Sequence, residues 1–214
     1  KASITYGAEY STNRLDDQVK AYNIRTQQNV STIGMYVQSE WTSRYLNLLI
    51  GARMDKHNLL SSPVLVPRLS LLYKYNDSWQ VRASYSSGYR APQAYDEDFH
   101  ITQVGGMSLR TKLADNLNAE YSNSFSLSSD YYAFLGKNWQ ANLLIEGFYT
   151  ILNDVFATRI IEQDTINNII YQERYNASGA DVAGVSLSAK LAYKDLVTFS
   201  LGYTLQTSKY KQTE

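Results

Sequence analysis

Apolar and polar residues alternate with a period of two along most of this chain. Val197, Phe199, Leu201, Tyr203 and Leu205 interleave with Thr198, Ser200, Gly202, Thr204 and Gln206, so a strand here has one greasy face and one polar face. The same pattern sets Leu69, Leu71, Tyr73 and Tyr75 against Arg68, Ser70 and Lys74, and Val81, Ala83, Tyr85 and Tyr89 against Arg82, Ser84, Ser86 and Arg90. It recurs in Leu46 to Asp55, around Ile33, Met35 and Val37, at Phe125 and Leu127, and from Val185 to Leu191. From Ala141 to Ile151 it is blurred, because Leu144 and Phe148 share the parity of Asn142 and Glu146. With a weaker run from Ile4 to Tyr10, these segments predict nine strands.

A soluble sandwich also alternates, but the connections distinguish the two. Short connections are expected at 42–44, 76–78, 133–138 and 194–196, and long ones at 13–29, 56–65, 91–117 and 153 to about 183, the last including strand extensions. Short and long alternate strictly. Outer-membrane barrels show this asymmetry, with short periplasmic turns and long extracellular loops. All three tryptophans flank short turns, in the company of Tyr45, Tyr75, Tyr131 and Tyr193, as an interfacial aromatic girdle would. The expectation is an all-β, antiparallel transmembrane β-barrel segment occupying residues 1–214 as one partial domain. Nine strands entering at the periplasmic side and leaving outside have two open edges, which lipid does not tolerate, so further strands are expected.

Composition narrows the function. The 20 Lys and Arg balance 20 Asp and Glu, so nothing suggests a nucleic-acid partner. The absence of cysteine removes thiol nucleophiles and Cys-based metal sites. The 19 tyrosines suit strands whose side chains are apolar at one end and wet at the other. His57 and His100 are the only histidines and lack HxxxH spacing. Neither a Ser-His-Asp hydrolase nor a haem receptor is supported, and no enzyme is expected.

Residues 84–101 read SYSSGYRAPQAYDEDFHI, which resembles the part of TonB-dependent receptors where a strand ends in an extracellular aromatic-Arg-Ala-Pro turn. Other segments are similar to that family in matching order. GMYVQSEW at 34–41 resembles its GxYxQDEW strand, GARMD at 51–55 its GxRxD strand end, and PRLSLLY at 67–73 the returning strand. Residues 116–130 resemble its NxNLKPExSxSxExG strand, and 176–187 the segment ending in GxE, with Ser186 in place of the glutamate. The resemblance runs from about residue 34 to 203. It implies a barrel of about 22 strands around a plug, of which this chain would be the middle section, without the plug, the TonB box and the C-terminal strands.

The resemblance further implies a receptor in the outer membrane of a Gram-negative bacterium. It would take up a ferric siderophore or cobalamin-like nutrient by TonB-coupled transport. Its partners would be the lipid bilayer, the plug of the same parent chain, the TonB complex and the small-molecule nutrient. A passive porin or an adhesin or autotransporter barrel is the alternative. Arg53, Asp55, Arg68, Arg82 and Glu146 fall on the lumen parity and are candidates to face the plug. The loop beginning at Arg90, with Tyr95, Asp96, Glu97, Asp98, Phe99 and His100, is the ligand candidate. Arg90 would attract an anionic chelate; the competing expectation is that it pairs locally with the loop acids. No cofactor is expected, although the oxygens of Asp96 and Asp98 are of the kind that hold calcium.

Overall fold

A computed structural model describes residues 1–19, 24–92, 103–104, 107–194 and 196–211. They form a single sheet with eleven strands: β1 (Ala2–Val19), β2 (Ile24–Thr42), β3 (Leu46–His57), β4 (Val64–Lys74), β5 (Trp79–Arg90), β6 (Gln103–Val104), β7 (Met107–Leu113), β8 (Glu120–Leu135), β9 (Trp139–Asp164), β10 (Ile169–Tyr193) and β11 (Val197–Tyr210). Nine of them form an antiparallel meander in which β5 pairs directly with β8. The other two, β6 and β7, lie in the long connection after Arg90, which alternation alone did not mark as strand. β7 runs parallel to β10 along its upper part, from Ile169↔Ser108 to Arg174↔Leu113. The lower part of that same edge of β10 pairs with β11, from Tyr193↔Val197 to Ala180↔Tyr210.

One expected long loop is largely strand, and the strand extensions expected in another are present. The 13–29 connection is a ladder whose last pair is Val19↔Ile24, and 153–183 belongs mostly to β9 and β10, of 26 and 25 residues. The side-chain pattern of 13–29 is less regular than in the rest of the sheet, which hid that ladder. A strand as long as β9 extends about 80 Å at roughly 3.3 Å per residue, far more than a bilayer requires. The hairpin closes on an Asx turn: Asp164 accepts hydrogen bonds from the Ile166 and Asn167 amides at 3.0 Å each, and Asn168 supplies the left-handed φ of 55° that asparagine tolerates. Ile161 is the extra residue where the β9–β10 register shifts at Tyr171/Gln172.

Register turns the alternation into two continuous faces. Leu48, Leu71, Ala83, Leu127, Gly147, Val185 and Leu205 form one cross-strand row; Leu72, Arg82, Ser128, Glu146, Ser186 and Thr204 form a row on the other face. Hydroxyl pairs knit the polar face, including Ser84–Ser126 at 2.7 Å and Ser124–Thr150 at 2.9 Å. The only buried hydrophobic residues among those described are Val30, Val64, Ala91, Ala119, Ile169 and Ala180, so a one-layer sheet takes the place of an apolar core. On the apolar face, the large side chains of Tyr6, Leu127, Phe199 and Leu201 are 80%, 60%, 62% and 65% exposed. Near the short turns, Tyr75 packs on Trp79 at 5.3 Å and Trp139 on Tyr193 at 4.9 Å. Pro67 marks the end of the β4–β5 ladder, whose last pair is Arg68↔Ser86, as its missing N–H requires.

Candidate functional site

Two charged clusters lie toward the long-hairpin end of the polar face. In the first, Glu9 of β1, Gly34 of β2 and Asp55 of β3 stand side by side in register. Arg53 donates through Nη1 to Glu9 Oε2 at 2.9 Å and through Nε to Asp55 Oδ1 at 2.8 Å. The guanidinium reaches across β2 because residue 34 has no side chain; a Cβ there would collide with the Asp55 carboxylate and the Arg53 guanidinium. Asp55 is only 5% exposed, so its charge depends on this partner. His57, at the end of β3 beyond the apolar run, is likewise buried. Its Nδ1 accepts the Leu59 amide at 3.1 Å, placing the proton of a neutral ring on Nε2. Burial lowers its pKa, opposed by the charge of Asp55.

The second cluster forms where β5 ends and β8 begins. Arg90 and Glu120 are register partners with Nη2 and Oε2 3.4 Å apart. The same Glu120 oxygen accepts the Phe156 amide of β9 at 2.8 Å, and the Arg90 guanidinium lies 4.8 Å from the centre of the Phe156 ring. Arg174 of β10 approaches that ring as well, at 5.7 Å, and is buried. The segment running from β7 back to β8 is bonded to β10 around it. Ala114 donates to the Arg174 carbonyl at 3.0 Å, and Asn118 and Asn176 exchange two hydrogen bonds, at 2.7 and 3.1 Å. Asn176 also donates to the Asp154 carbonyl at 2.7 Å, and Gln172 to Thr111 at 2.7 Å. The described residues from Met107 to Asn118 are therefore pinned along β10.

The fold joins some of the residues selected from sequence and separates others. Arg53 and Asp55 form one cluster, and Arg90 anchors the other. Arg68, Arg82 and Glu146 occupy the polar face, and Arg82 and Glu146 share a row through Ser128. They form no ion pair with one another or with any other described residue. Tyr95, Asp96, Glu97, Asp98, Phe99 and His100 lie outside the described residues. Among those described, no group of three His, Cys, Asp or Glu side chains could hold a metal ion.

Glu9, Glu120, Phe156, Gln172 and Arg174 were not singled out by sequence reasoning. Glu120 lies within the strand resemblance at 116–130, but nothing in that pattern set it apart. The others meet only through register between distant strands.

The family model described as "TonB dependent receptor-like, beta-barrel" matches residues 1–214. Among solved structures, the siderophore receptor PirA from Pseudomonas aeruginosa superposes with a TM-score of 0.77 at 19% identity, covering 98% of this chain and 40% of its own. The FrpB iron transporter from Neisseria meningitidis (F5-1 variant) gives 0.70 at 18%, covering 100% and 34%. A mutant ferric enterobactin receptor from Pseudomonas aeruginosa gives 0.70 at 18%, covering 96% and 33%. The chain thus spans 40% or less of the length of these three structures. No curated protein matches the sequence.

Proposed function

Because this chain belongs to the TonB-dependent receptor-like β-barrel family, we propose that it is part of the wall of an outer-membrane receptor that imports a scarce nutrient of the iron–siderophore class by TonB-coupled transport. In this reading the apolar face lies against lipid hydrocarbon in the outer membrane of a Gram-negative cell. The polar face lines a lumen closed by a plug, and the long hairpins stand outside the cell. The barrel holds, orients and admits the nutrient without altering it covalently.

The observation that carries the proposal is the division of labour among charges on the polar face. Arg53 is satisfied within the wall by Glu9 and Asp55, which sets the spacing of three strands. Arg68, Arg82 and Glu146 have no partner among the described residues, so they are free to bind a plug with charge-assisted hydrogen bonds. Arg90 is held at the rim by Glu120 and Phe156 with half of its side chain exposed, which suits contact with an anionic chelate together with the loop residues Tyr95 to His100. Iron-transporting proteins among the structural neighbours favour a ferric cargo.

The test is uptake by cells carrying the full receptor. Accumulation of a ferric siderophore that depends on the receptor should vanish when TonB is deleted. Uptake that persists without TonB would identify a passive pore and overturn the proposal.

A further inference from the structure

The short-turn end of the polar face holds a second arrangement of cations and rings. Arg44 and Tyr45 from the β2–β3 turn, Lys74 from the end of β4, Trp79 and Gln80 from the start of β5 and Tyr132 of β8 surround a cavity of about 490 Å³. Register brings them together. The Lys74 amide donates to the Tyr45 carbonyl at 2.7 Å, Lys74 is the partner of Gln80, and Gln80 is the partner of Asp130, two residues before Tyr132. The β4–β5 turn that forms one wall is fixed from within: Asn76 Oδ1 accepts the Ser78 and Trp79 amides at 2.9 and 2.7 Å, and Tyr75 packs edge-on against Trp79. The cavity falls within the range that holds small molecules, roughly 300–1,000 Å³.

Positive charge in this cavity has no local counterpart. Arg44 and Lys74 form no ion pair among the described residues. Asp130 is satisfied by neutral donors instead: Gln80 Nε2 at 3.1 Å, the Tyr132 hydroxyl at 2.8 Å and Asn142 Nδ2. Among the described lining residues Asp77 is the one acid; it is exposed at the turn and pairs with neither cation. The Arg44 guanidinium lies 5.2 Å from the centre of the Tyr45 ring, as that of Arg90 lies 4.8 Å from the Phe156 ring. The β5–β8 ladder runs from Trp79↔Tyr131 to Arg90↔Glu120. The same chemistry, a guanidinium beside a ring, therefore stands at both ends of one strand pair, roughly 30 Å apart by the usual rise of a strand.

We propose that this cavity is an exit site, which binds an anionic aromatic ferric chelate as it leaves the lumen, with the charges on Arg44 and Lys74 and the rings against Tyr45 and Trp79. The proposal rests on the reading of the chain as lumen wall of an iron–siderophore receptor. Position selects the occupant. Lys74, Gln80 and Tyr132 belong to the polar face, in the parity of Arg82 and Ser128, so a lipid headgroup seated among them would draw its acyl chains away from hydrocarbon. A water-borne anion meets no such cost. A chelate released from Arg90 finds matching contacts at the far end of the ladder, and binding there opposes its return to the outside.

The test is lysine footprinting on the full receptor, purified in detergent, with the ferric complex of 2,3-dihydroxybenzoate as probe and inorganic phosphate as control. Acetylation of Lys74, read by mass spectrometry, should slow with the probe and not with phosphate, while Lys137, exposed in the β8–β9 turn, reacts alike in both. Arg44→Gln should abolish the protection, and heat-modifiable gel migration checks that its barrel is intact. Lys74 unprotected by the probe, or protected equally by phosphate, overturns the proposal whether or not the variant folds; undiminished protection in a folded variant does the same. So does a Lys74 that is unreactive before the probe is added, because a carboxylate of the plug would then fill the cavity. In cells, R44Q/K74Q should capture at the surface the ferric siderophore that wild type imports and lose its accumulation; undiminished accumulation would overturn the exit role. Wild-type accumulation that persists without TonB would instead overturn the underlying reading, whereas TonB-dependent accumulation alongside an unprotected Lys74 overturns this proposal alone.

Discussion

Glycine at position 34 shows how much one missing Cβ can organise. It stands between Glu9 and Asp55 in register, and the space above it is occupied by the Arg53 guanidinium and the Asp55 carboxylate. Gly34→Ala should displace both groups, break the Arg53–Glu9 pair and cost about 1–3 kcal/mol, the usual penalty for overpacking. Gly147→Ala is the control: nothing lies within 4 Å of the added methyl, so the change should stay within about 0.5 kcal/mol. Denaturant unfolding of the two variants, followed by gel migration, separates these outcomes. Equal stability would mean that Arg53 swings aside freely. Arg90 is the residue on which wall contacts and the proposed ligand role meet. In the full receptor, Arg90→Ala should weaken binding of an anionic ferric chelate by about 10- to 100-fold, the value of a hydrogen bond to a charged group, and Asp98→Asn probes the adjoining loop. Unchanged affinity in both would leave Arg90 only its pairing with Glu120.

Among the elements, the β1–β2 hairpin and the β7 segment are held by different means and should respond to different perturbations. The β1–β2 hairpin is closed near its tip by Arg25, which donates to Asp16 through Nε at 2.9 Å and Nη2 at 2.8 Å, with Gln27 adding a third hydrogen bond at 3.2 Å. The Arg25 hydrogen bonds hold the Asp16 carboxyl down at about 2, from 3.8. A lowered carboxyl pKa stabilises the hairpin above the unfolded value and loses that effect as pH falls through the folded one. The protection of amides near the tip, taken relative to their intrinsic exchange rate at each pH, should therefore be unchanged from neutral pH to about 4 and fall from there towards pH 2, a step that Asp16→Asn should abolish. The β7 segment depends instead on neutral amides. Asn176→Ala removes three hydrogen bonds, to Asn118 and Asp154, and should loosen the segment by about 1–3 kcal/mol. Limited proteolysis between β7 and β8 should then quicken while the barrel band on a gel stays the same. Protection equal to wild type would show that the parallel β7–β10 ladder suffices alone.

At the scale of the whole molecule, a single-layer sheet has no interior in which to hide its apolar face. Produced alone, the 214-residue chain should require detergent or self-associate, since it presents a wide apolar surface and strand edges open to pairing. A monodisperse monomer in plain buffer would contradict the face assignment. The sequence by itself determined the meander, because period-two alternation depends only on which neighbours along the chain are greasy, and turn length only on local residues. Val197 to Leu205 alternate without a break, and that strand is legible with no knowledge of its partner. Alternation also placed Arg53, Arg68, Arg82 and Glu146 on one face, and the Arg-Ala-Pro turn placed Arg90 at a strand end. It suggested strand extensions within 153–183 but not that β1 and β2 extend far beyond the apolar band, where the contrast between the two faces fades. Nor did it show that residues 107–113 add a parallel strand to β10, or that Glu120, Phe156 and Arg174 gather around Arg90. Even the nearest of these, Glu120, is 30 positions from Arg90 along the chain, and no local pattern encodes such a contact. Only the register of the assembled sheet, and the backbone hydrogen bonds it leaves to be filled along the edge of β10, decides which distant side chains meet.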